Sequence, residues 1–238
     1  MPLVTVPLLQ VDPATPRSRL LAVDFSDRPF EFLPGHAVLV GTHGHPDRRP
    51  YSIACSPGRA LERGRLELLV ALEADGTLGP HLRDLAPGVL VDVDGPLGTF
   101  VFPAEPPRRR LLFIAGGTGI APLRAMIDHA LRTHPGQAMS LLYSARRADE
   151  FAFIDELQAH AAAGRLELHR TVTRDESAAW SGGRGRIGRS HYDAVLHDPA
   201  STLCFVCGPR LMVAEAVAVL KALGVPDESV RTEGWGAG

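Results

Sequence analysis

The chain has 238 residues, of which 45% are hydrophobic and 22% are charged, and its formal net charge is −2. This length holds one large domain or two of about 100–120 residues each, and the composition is that of an ordinary globular protein. The near-neutral charge disfavours nucleic acid or an anionic membrane as the main partner. Lys221 is the only lysine, so a phosphate site here would have to use arginine side chains and backbone N–H groups.

The three cysteines, Cys55, Cys204 and Cys207, are too few for a disulfide framework, and their odd number is typical of a reducing compartment. The N-terminus lacks the basic start and long apolar run of a signal peptide. The strongest apolar run, residues 111–115, is far too short to span a membrane. We therefore expect a cytoplasmic protein that binds neither membrane nor nucleic acid.

Short strands separated by turn residues are predicted over the first hundred positions. The predicted strands cover residues 4–11, 18–24, 37–40, 51–54, 66–72 and 89–94, with Gly, Pro and Asp turns between them. The segment Ser56-Pro57-Gly58 is interpreted as one of these turns, and the segment around His81 is long enough for only one or two helical turns. Strands of this length and spacing predict a six-stranded antiparallel β-barrel over residues 1–104.

The pattern changes after a proline- and arginine-rich stretch at residues 105–109, which is interpreted as a stiff linker. Strands are then predicted at 111–115, 139–144, 166–172 and 203–206, and helices at 122–131, 151–163 and 210–223. Gly224 follows the last helix as a stop signal. Alternating strands and helices predict an α/β domain over residues 110–238, with a parallel sheet covered on both faces.

A glycine-rich turn, Gly116-Gly117-Thr118-Gly119, directly follows the buried strand 111–115. Glycine lets the backbone turn tightly and approach a ligand, and Pro122 suits the first position of a helix. The helix N-terminus then offers free N–H groups to an anion such as a pyrophosphate. Glycines also occupy such turns for steric reasons alone, but a turn between a strand and a proline-started helix favours binding.

The pair Cys204 and Cys207 is compatible with metal or redox chemistry, or with a packing role. On a strand, an offset of three sends the two side chains to opposite faces, and no second cysteine pair completes a zinc or iron–sulfur set. His43, His45 and Asp47 lie in a Gly/Pro loop and are interpreted as loop residues. We therefore predict no metal site. Cys204 is expected in the core, and Cys207 at the carboxyl end of a strand, where open α/β sheets bind ligands.

Within the predicted barrel, Arg49-Pro50-Tyr51-Ser52 combines a group that can bind phosphate, a ring that can stack and a hydroxyl. Taken alone, this run is better explained as an ordinary edge strand with a buried tyrosine.

Together, these motifs resemble the ferredoxin–NADP reductase superfamily. The matching segments, which run in the family's order over residues 5–236, are 33–35, 49–52, 95–100, 116–122, 207–209 and 233–235. The resemblance implies an FAD-binding barrel followed by a Rossmann-like NAD(P)-binding domain. It also implies an enzyme that takes hydride from NAD(P)H onto a flavin and passes electrons to a separate carrier such as ferredoxin, flavodoxin or an oxygenase component.

For the flavin, the resemblance implies that Arg49 binds the pyrophosphate, that Tyr51 stacks on the isoalloxazine and that Ser52 hydrogen-bonds near N5. The residues implied in FAD binding are Arg49, Pro50, Tyr51, Ser52, Gly76, Thr77, Leu78, Gly79 and Trp235. The family usually has Ser or Thr where this chain has Gly79, so a hydroxyl contact is lost. This difference leaves FMN open as an alternative to FAD.

For the nicotinamide, the resemblance implies that Thr118 and Cys207 lie beside the ring and that Glu233 is the C-terminal acid that polarises or protonates. The residues implied in NAD(P) binding are Gly116, Gly117, Thr118, Gly119, Pro122, Thr173, Arg174, Arg186, Cys207, Gly208, Pro209 and Met212. Thr173 and Arg174 resemble an element of NADP-preferring members, and Arg186 adds a second guanidinium. Asp175 would repel a 2′-phosphate, so NADP is favoured while NAD stays open.

Two alternative functions remain open. One is an NAD(P)H:flavin reductase that releases reduced flavin, which the missing hydroxyl at Gly79 favours. The other is a flavin-binding relay component of a larger complex that does not itself bind nicotinamide, which the intact motifs at 116–122 and 207–209 disfavour.

Overall fold

The computed structural model describes residues 3–82 and 84–235. The chain forms two compact units. The first runs to Phe102 and also includes Arg124–His129, and the second holds Pro103–Leu123 and the chain from Ala130 onward. No helix within the described residues is both long and apolar enough to cross a membrane. The domain bounds 1–104 and 110–238 stay a prediction.

The first unit is a six-stranded antiparallel sheet in the order β4-β3-β6-β1-β2-β5. Its strands are β1 (Val4–Thr15), β2 (Ser18–Asp24), β3 (Ala37–Thr42), β4 (Arg49–Ser52), β5 (Arg65–Ala71) and β6 (Leu90–Leu97). Just past β4, Ile53 forms an antiparallel bridge with Leu68 of β5. Since β4 and β5 are the two ends of the strand order, this bridge closes the sheet into a barrel.

Alternation along the strands builds the barrel core, because successive side chains of a strand point to opposite faces. Over part of each of β1, β2, β3, β5 and β6, alternate residues are apolar and buried in one cluster. The strand members of that cluster are Val4, Val6, Leu8, Leu21, Val23, Val38, Val40, Leu66, Leu68, Val70, Val91 and Val93. This period of two is the signal from which the strands are predictable.

One helix of the first unit was not predicted. Residues Pro57–Arg63 form α1, where the sequence suggested only a turn. The Ser56 hydroxyl accepts a hydrogen bond from the Arg59 backbone N–H at 3.1 Å, and Pro57 stands at the first helical position. The serine and proline interpreted as turn residues are therefore the cap and the start of a helix.

The second unit is a parallel sheet in the order β10-β9-β8-β7-β11-β12. Its strands are β7 (Arg110–Gly116), β8 (Ala138–Ala145), β9 (Glu167–Val172), β10 (Gly183–Arg184), β11 (Thr202–Pro209) and β12 (Val230–Trp235). Its helices are α2 (Ile120–Thr133), α3 (Ile154–Ala162), α4 (Arg189–Val195) and α5 (Arg210–Ala222). The predicted fold class is confirmed.

Both sheet faces of the second unit are apolar. Leu112, Ile114 and Val206 pack with residues of α4 and α5 on one face. On the other face, the rings of Phe113 and Phe205 lie with centroids 5.5 Å apart. Burial on both sides is typical of parallel strands with helical crossovers and explains their continuous apolar runs.

Three elements of the second unit escaped prediction, namely β10, α4 and β12. Strand β10 has only two residues, and β12 is half-exposed without an apolar run.

The start of α2 was also predicted wrongly. A turn of 3₁₀ helix at Gly117–Gly119 leads into α2 at Ile120, so Pro122 is the third residue of α2 and not the first. Proline is tolerated there because the first four N–H groups of a helix have no intrahelical partner.

A buried charge network lies within the first unit. The Glu67 carboxylate, 2% exposed, accepts hydrogen bonds from Arg124 at 2.7 Å and from Arg65 at 3.1 Å. Four residues along the same face of α2, Asp128 pairs with Arg59 at 2.5 Å. Burial acts to raise the pKa of Glu67, but the Arg124 guanidinium and the hydrogen bonds outweigh it and lower the pKa. The members of the network are therefore ionised, and they hold the segment Arg124–His129 to the barrel.

We expect Glu67→Gln to lower the free energy of unfolding by about 3–5 kcal/mol, because it removes the carboxylate from a buried ion pair with Arg124. Urea unfolding measures the loss. Glu228→Gln is the matched control, since Glu228 is exposed and pairs with Arg108 at 3.2 Å, and its change should stay within about 0.5 kcal/mol. Equal effects of the two variants would contradict the prediction.

The same pair predicts a pH dependence. The folded-state pKa of Glu67 lies below its ordinary value, so its stabilisation is complete at neutral pH. It is lost as the pH falls below about 5 and through the folded-state pKa. Wild-type protein should therefore lose more stability on acidification than the Glu67→Gln variant does.

Candidate functional site

In the first unit, strand β4 and the loop that follows β5 form one surface. Alternation places Arg49 and Tyr51 on one face of β4 and Ser52 on the other. The Arg49 guanidinium donates a hydrogen bond to the Glu73 carboxylate at 3.1 Å, with both side chains 51% exposed. Pro50 fits because β4 is an end strand of the sheet order. Arg49 therefore lies beside the loop predicted to bind flavin, on the same face as Tyr51, whereas Ser52 points to the opposite face of β4.

Tyr51 is joined to His81, which belongs to a 3₁₀ turn at Pro80–Leu82. The phenol oxygen and imidazole Nε2 are 2.6 Å apart, and the two rings are nearly parallel at 12° with centroids 5.9 Å apart. Parallel rings stacked in contact need about 3.5–4.0 Å between carbon atoms, so rings joined at 2.6 Å lie side by side. His81 therefore meets Tyr51 at the edge of the ring and does not cover its face.

The protonation states of this pair follow from its surroundings. Burial raises the pKa of Tyr51 to about 12, with the Arg49 charge opposing the rise. His81 is 1% exposed, and burial together with the Arg49 charge lowers its pKa. At neutral pH the pair is therefore a phenol and a neutral imidazole.

The loop between Glu73 and Gly79 is built on an acidic turn. The Asp75 carboxylate accepts hydrogen bonds from the Thr77 backbone N–H at 3.0 Å and from the Thr77 hydroxyl at 2.7 Å, and these bonds lower the pKa of Asp75. Gly76 has a φ of +81°, a conformation that favours glycine. Glu73 and Asp75 therefore place two carboxylates at the segment predicted to take a phosphate.

The departure at Gly79 has a steric cause. A Cβ atom at this position would lie 2.8 Å from Cε1 and 3.0 Å from Nδ1 of His81. Any larger residue would have to move the buried imidazole, so the family's Ser or Thr and His81 cannot both occupy their positions unchanged.

In the second unit, the glycine turn packs against the end of β11. A Cβ atom on Gly119 would meet the Cys207 carbonyl oxygen, and one on Gly116 would lie 2.6 Å from Sδ of Met212. A Cβ atom on Gly208 would likewise meet the side chain of Met212. These three glycines let backbone approach backbone, whereas Gly117 supplies the positive φ of 55° that the turn needs. The buried Tyr143 hydroxyl donates to the Gly117 carbonyl at 3.2 Å and fixes the turn.

The carboxyl ends of β11 and β12 bring three predicted residues to this turn. In the parallel register, Cys207 pairs with Glu233 and Pro209 with Trp235. The Cys207 thiol lies 3.8 Å from the Glu233 carboxylate, and burial together with the Glu233 charge raises its pKa well above the usual value. Trp235, 39% exposed, comes within 4.0 Å of the Cβ position of Gly117. The thiol is therefore protonated and can donate to the carboxylate.

Cys204 differs from Cys207 as predicted. It is buried in the cluster formed with α4 and α5, whereas Cys207 lies on the opposite sheet face, and both are free thiols. Within residues 3–82 and 84–235, no group of three or more His, Cys, Asp or Glu side chains is arranged to hold a metal ion.

The residues predicted for the 2′-phosphate follow β9 and β10. Thr173 and Arg174 hydrogen-bond through their backbone N–H groups to the carbonyls of Ala145 and Arg146, at 3.0 and 2.8 Å. Arg146, Arg174 and Arg186 are exposed. Three guanidinium groups therefore belong to the ends of adjacent strands, where open α/β sheets bind ligands.

Asp175, next to Arg174, is already engaged. Its carboxylate accepts hydrogen bonds from the backbone N–H groups of Ala148 and Ser177, each at 2.9 Å. These two bonds lower its pKa, and the charges of Arg147 and Arg184 lower it further. The negative charge that would oppose a phosphate is thus partly balanced.

Sequence reasoning missed Glu73, His81 and Arg146 as site residues. Arg146 could have been found, because it directly follows a predicted strand at the ligand-binding end of the sheet. Glu73 and His81 act across a loop on β4, and no motif or spacing predicts those contacts.

The residues of the first unit fit a flavin nucleotide chemically. A guanidinium suits a phosphate, and a half-buried aromatic ring suits a flat heterocycle. In the second unit, the tight turn, the thiol and the exposed guanidinium groups suit a nicotinamide dinucleotide.

Comparison with known proteins identifies both halves of the chain. The family model of the oxidoreductase FAD-binding domain matches residues 15–102, and that of the oxidoreductase NAD-binding domain matches residues 113–218. Ferredoxin–NADP reductase B of Sorangium cellulosum is 31% identical over 95% of each chain. One component of the Na(+)-translocating NADH-quinone reductase of Klebsiella pneumoniae is 31% identical over 80% of this chain but only 49% of its own.

Solved structures share the fold. A ferredoxin–NADP+ reductase from Neisseria gonorrhoeae, solved with FAD and NADP, superposes with a TM-score of 0.80 at 20% identity over 98% of each chain. An Amycolatopsis cytochrome P450 reductase gives a TM-score of 0.85 at 24% identity over 98% of this chain and 70% of its own. With the full-length relative and the two domain matches, these findings show that the chain belongs to the ferredoxin–NADP reductase superfamily and is an FAD-dependent NAD(P)H oxidoreductase.

Proposed function

We propose that the enzyme takes hydride from NADPH and passes the electrons singly to a separate carrier protein such as ferredoxin, flavodoxin or an oxygenase component. The observation that carries this proposal is the match to a ferredoxin–NADP reductase over 95% of both chains. The three free cysteines fit a reducing compartment, so we propose the cytoplasm as its location.

In the proposed flavin site, Arg49 binds the pyrophosphate and Tyr51 presents a ring face to the isoalloxazine. Arg49 must first leave Glu73, and that exchange costs little, because an exposed ion pair contributes only about 0–1 kcal/mol. Ser52 hydrogen-bonds near N5. Leu78 and Gly79 offer backbone N–H groups, whereas Gly76 and Thr77 shape the loop, because their own N–H groups donate to Glu73 and Asp75. Bound flavin supplies the ability to accept a hydride and to donate electrons one at a time.

In the proposed nicotinamide site, the residues at 116–119 and Pro122 receive the dinucleotide, with Gly208, Pro209 and Met212 closing the turn from β11. Thr118 and Cys207 orient the nicotinamide ring for hydride transfer. Because the Cys207 pKa is raised, the thiol stays protonated, and its S–H group donates a hydrogen bond to the Glu233 carboxylate. Trp235 covers the turn at Gly117, and its role toward the flavin stays a prediction.

A second candidate function is an NAD(P)H:flavin reductase that releases reduced flavin. Two observations favour it, namely the missing hydroxyl at Gly79 and the acidic side chains of Glu73 and Asp75 beside the proposed phosphate site. Carboxylates near a phosphate weaken its binding, which suits a flavin that must leave. A relay component of a complex is the third candidate, because the relatives include one component of the Na(+)-translocating NADH-quinone reductase.

The decisive experiment is an anaerobic titration followed by addition of an acceptor. We expect NADPH to bleach the absorbance of the bound flavin, and ferredoxin or flavodoxin to restore it. The rate of this reoxidation should saturate with carrier concentration and should not change when free FAD is added. A rate that depends only on the concentration of free flavin would favour the flavin reductase. Bound flavin that neither NADPH nor NADH bleaches would favour the relay component.

We expect Arg49→Ala to weaken FAD binding about 10- to 150-fold, because a charge-assisted contact of about 1.5–3 kcal/mol is lost. Quenching of FAD fluorescence measures the dissociation constant. Arg48→Ala is the matched control, since the Arg48 guanidinium faces Asp92 at 3.7 Å, and its FAD affinity should be unchanged. Equal retention of FAD by both variants would contradict the role of Arg49.

We expect NADPH to be preferred over NADH, and the double variant Arg174→Ala/Arg186→Ala to remove the preference. Two charge-assisted contacts account for a discrimination of about a hundredfold or more, and NADH has no 2′-phosphate to lose. Steady-state kcat/KM with both cofactors measures the effect. Arg189→Ala is the control, because Arg189 pairs with Asp193 at 3.0 Å.

Salt gives an independent check of the same pocket. Rising ionic strength should weaken NADPH binding more than NADH binding, because the guanidinium groups are exposed. Equal kcat/KM for the two cofactors in the wild-type enzyme would end the case for a 2′-phosphate site.

A further inference from the structure

His81 has no part in the function derived so far, yet its chemistry is unusual. It is 1% exposed, and its Nδ1 atom is buried with no hydrogen-bond partner among the residues that the structure describes. Such an atom is rare and requires a reason. Its other nitrogen, Nε2, makes the 2.6 Å contact with Tyr51.

The surroundings of Nδ1 determine which nitrogen carries the proton. A neutral imidazole has one N–H group, on either Nδ1 or Nε2. The hydrogen that Gly79 carries in place of a Cβ atom points at the Nδ1–Cε1 edge, because a Cβ there would lie only 3.0 Å from Nδ1. An N–H group on Nδ1 would face that hydrogen and remain a buried, unsatisfied donor. The proton is therefore assigned to Nε2.

This assignment determines the direction of the hydrogen bond between His81 and the Tyr51 hydroxyl. The Nε2–H group donates to the phenol oxygen, so the phenol's own hydrogen remains for another acceptor. The phenol does not ionise near neutral pH, since burial raises its pKa to about 12. Tyr51 is half-buried, and it lies on the same strand face as Arg49, about 7 Å further along β4.

We propose that His81 is a positioning residue for FAD: it holds Tyr51 edge-on and makes its hydroxyl a hydrogen-bond donor toward an oxygen of the ribityl–pyrophosphate chain. The proposal rests on the proposed flavin roles of Arg49 and Tyr51. It also explains Gly79, since the imidazole occupies the space that the Ser or Thr of other family members would need. The lost hydroxyl is replaced by a histidine acting through the tyrosine.

The test compares two side chains of similar size at position 81. His81→Gln keeps an N–H donor, whereas His81→Leu does not. We expect His81→Leu to raise the FAD dissociation constant about tenfold, as for one lost hydrogen bond, and His81→Gln to raise it less than about threefold. The visible circular dichroism of bound FAD should shift in His81→Leu and not in His81→Gln.

A double-variant cycle isolates the path through the tyrosine. In a Tyr51→Phe background the ring remains but the hydroxyl is gone, so His81→Leu should add less than about twofold. His197→Leu, at an exposed histidine paired with Glu167 at 2.9 Å, is the control for the substitution itself. Thermal unfolding of each variant shows whether it is folded.

Gly79→Ser distinguishes two explanations of this glycine. If a hydroxyl contact to FAD is simply missing, serine should tighten FAD binding, whereas if His81 fills the space, serine should weaken it. Restoring the family's hydroxyl should weaken FAD binding, because the added Cβ displaces His81. Tighter binding in Gly79→Ser, equal effects of Leu and Gln at position 81, or an undiminished effect of His81→Leu in the Tyr51→Phe background would overturn the proposal. Wild-type protein that binds FAD while Arg49→Ala and Tyr51→Ala bind it equally well would instead overturn the flavin site on which the proposal rests.

Discussion

The proposed nicotinamide site of the second unit depends on a backbone contact that admits no side chain. The turn after β7 lies so close to the end of β11 that a Cβ atom on Gly119 would meet the Cys207 carbonyl oxygen. That contact places the turn beside the Cys207 thiol, and the parallel register of β11 with β12 then places Glu233 beside the same thiol. A turn, a thiol and a carboxylate from three separate segments meet because glycine has no side chain. Packing and binding are therefore not alternative explanations of this motif, since the close packing creates the site.

The first unit keeps the arginine that we propose to bind phosphate available for a ligand. In the chain as it stands, Arg49 pairs with Glu73 in an exposed contact. Buried pairs elsewhere in the unit, such as that between Glu67 and Arg124, hold permanent structure. The difference in burial separates the two roles. An exposed pair contributes about 0–1 kcal/mol and can be exchanged for a ligand, whereas breaking a buried pair costs about 3–5 kcal/mol.

What the sequence could predict follows from the range of each signal. Short stretches between Gly, Pro and Asp turns predicted the barrel strands, and apolar runs alternating with helices predicted the parallel sheet, because both patterns are local in the sequence. Helix α1 was missed because Ser56 and Pro57 are typical of turns as well as of helix starts. Strand β12 was missed because a half-exposed edge strand needs no apolar run. The motif residues were predictable, but Glu73 and His81 were not, since their partners lie on another element.

The glycine at position 79 shows how a departure from a family pattern should be interpreted. Seen in the sequence alone, it removes a hydroxyl and indicates weaker flavin binding. In the structure, Gly79 leaves room for His81. The imidazole of His81 fills the space that a side chain at position 79 would need, and it contacts the tyrosine of β4. Such compensation is invisible when positions are compared one at a time, because each substitution alone loses an interaction. The physical unit to compare across relatives is therefore the pair Gly79 and His81 together with Tyr51, whose hydroxyl we propose that they jointly orient.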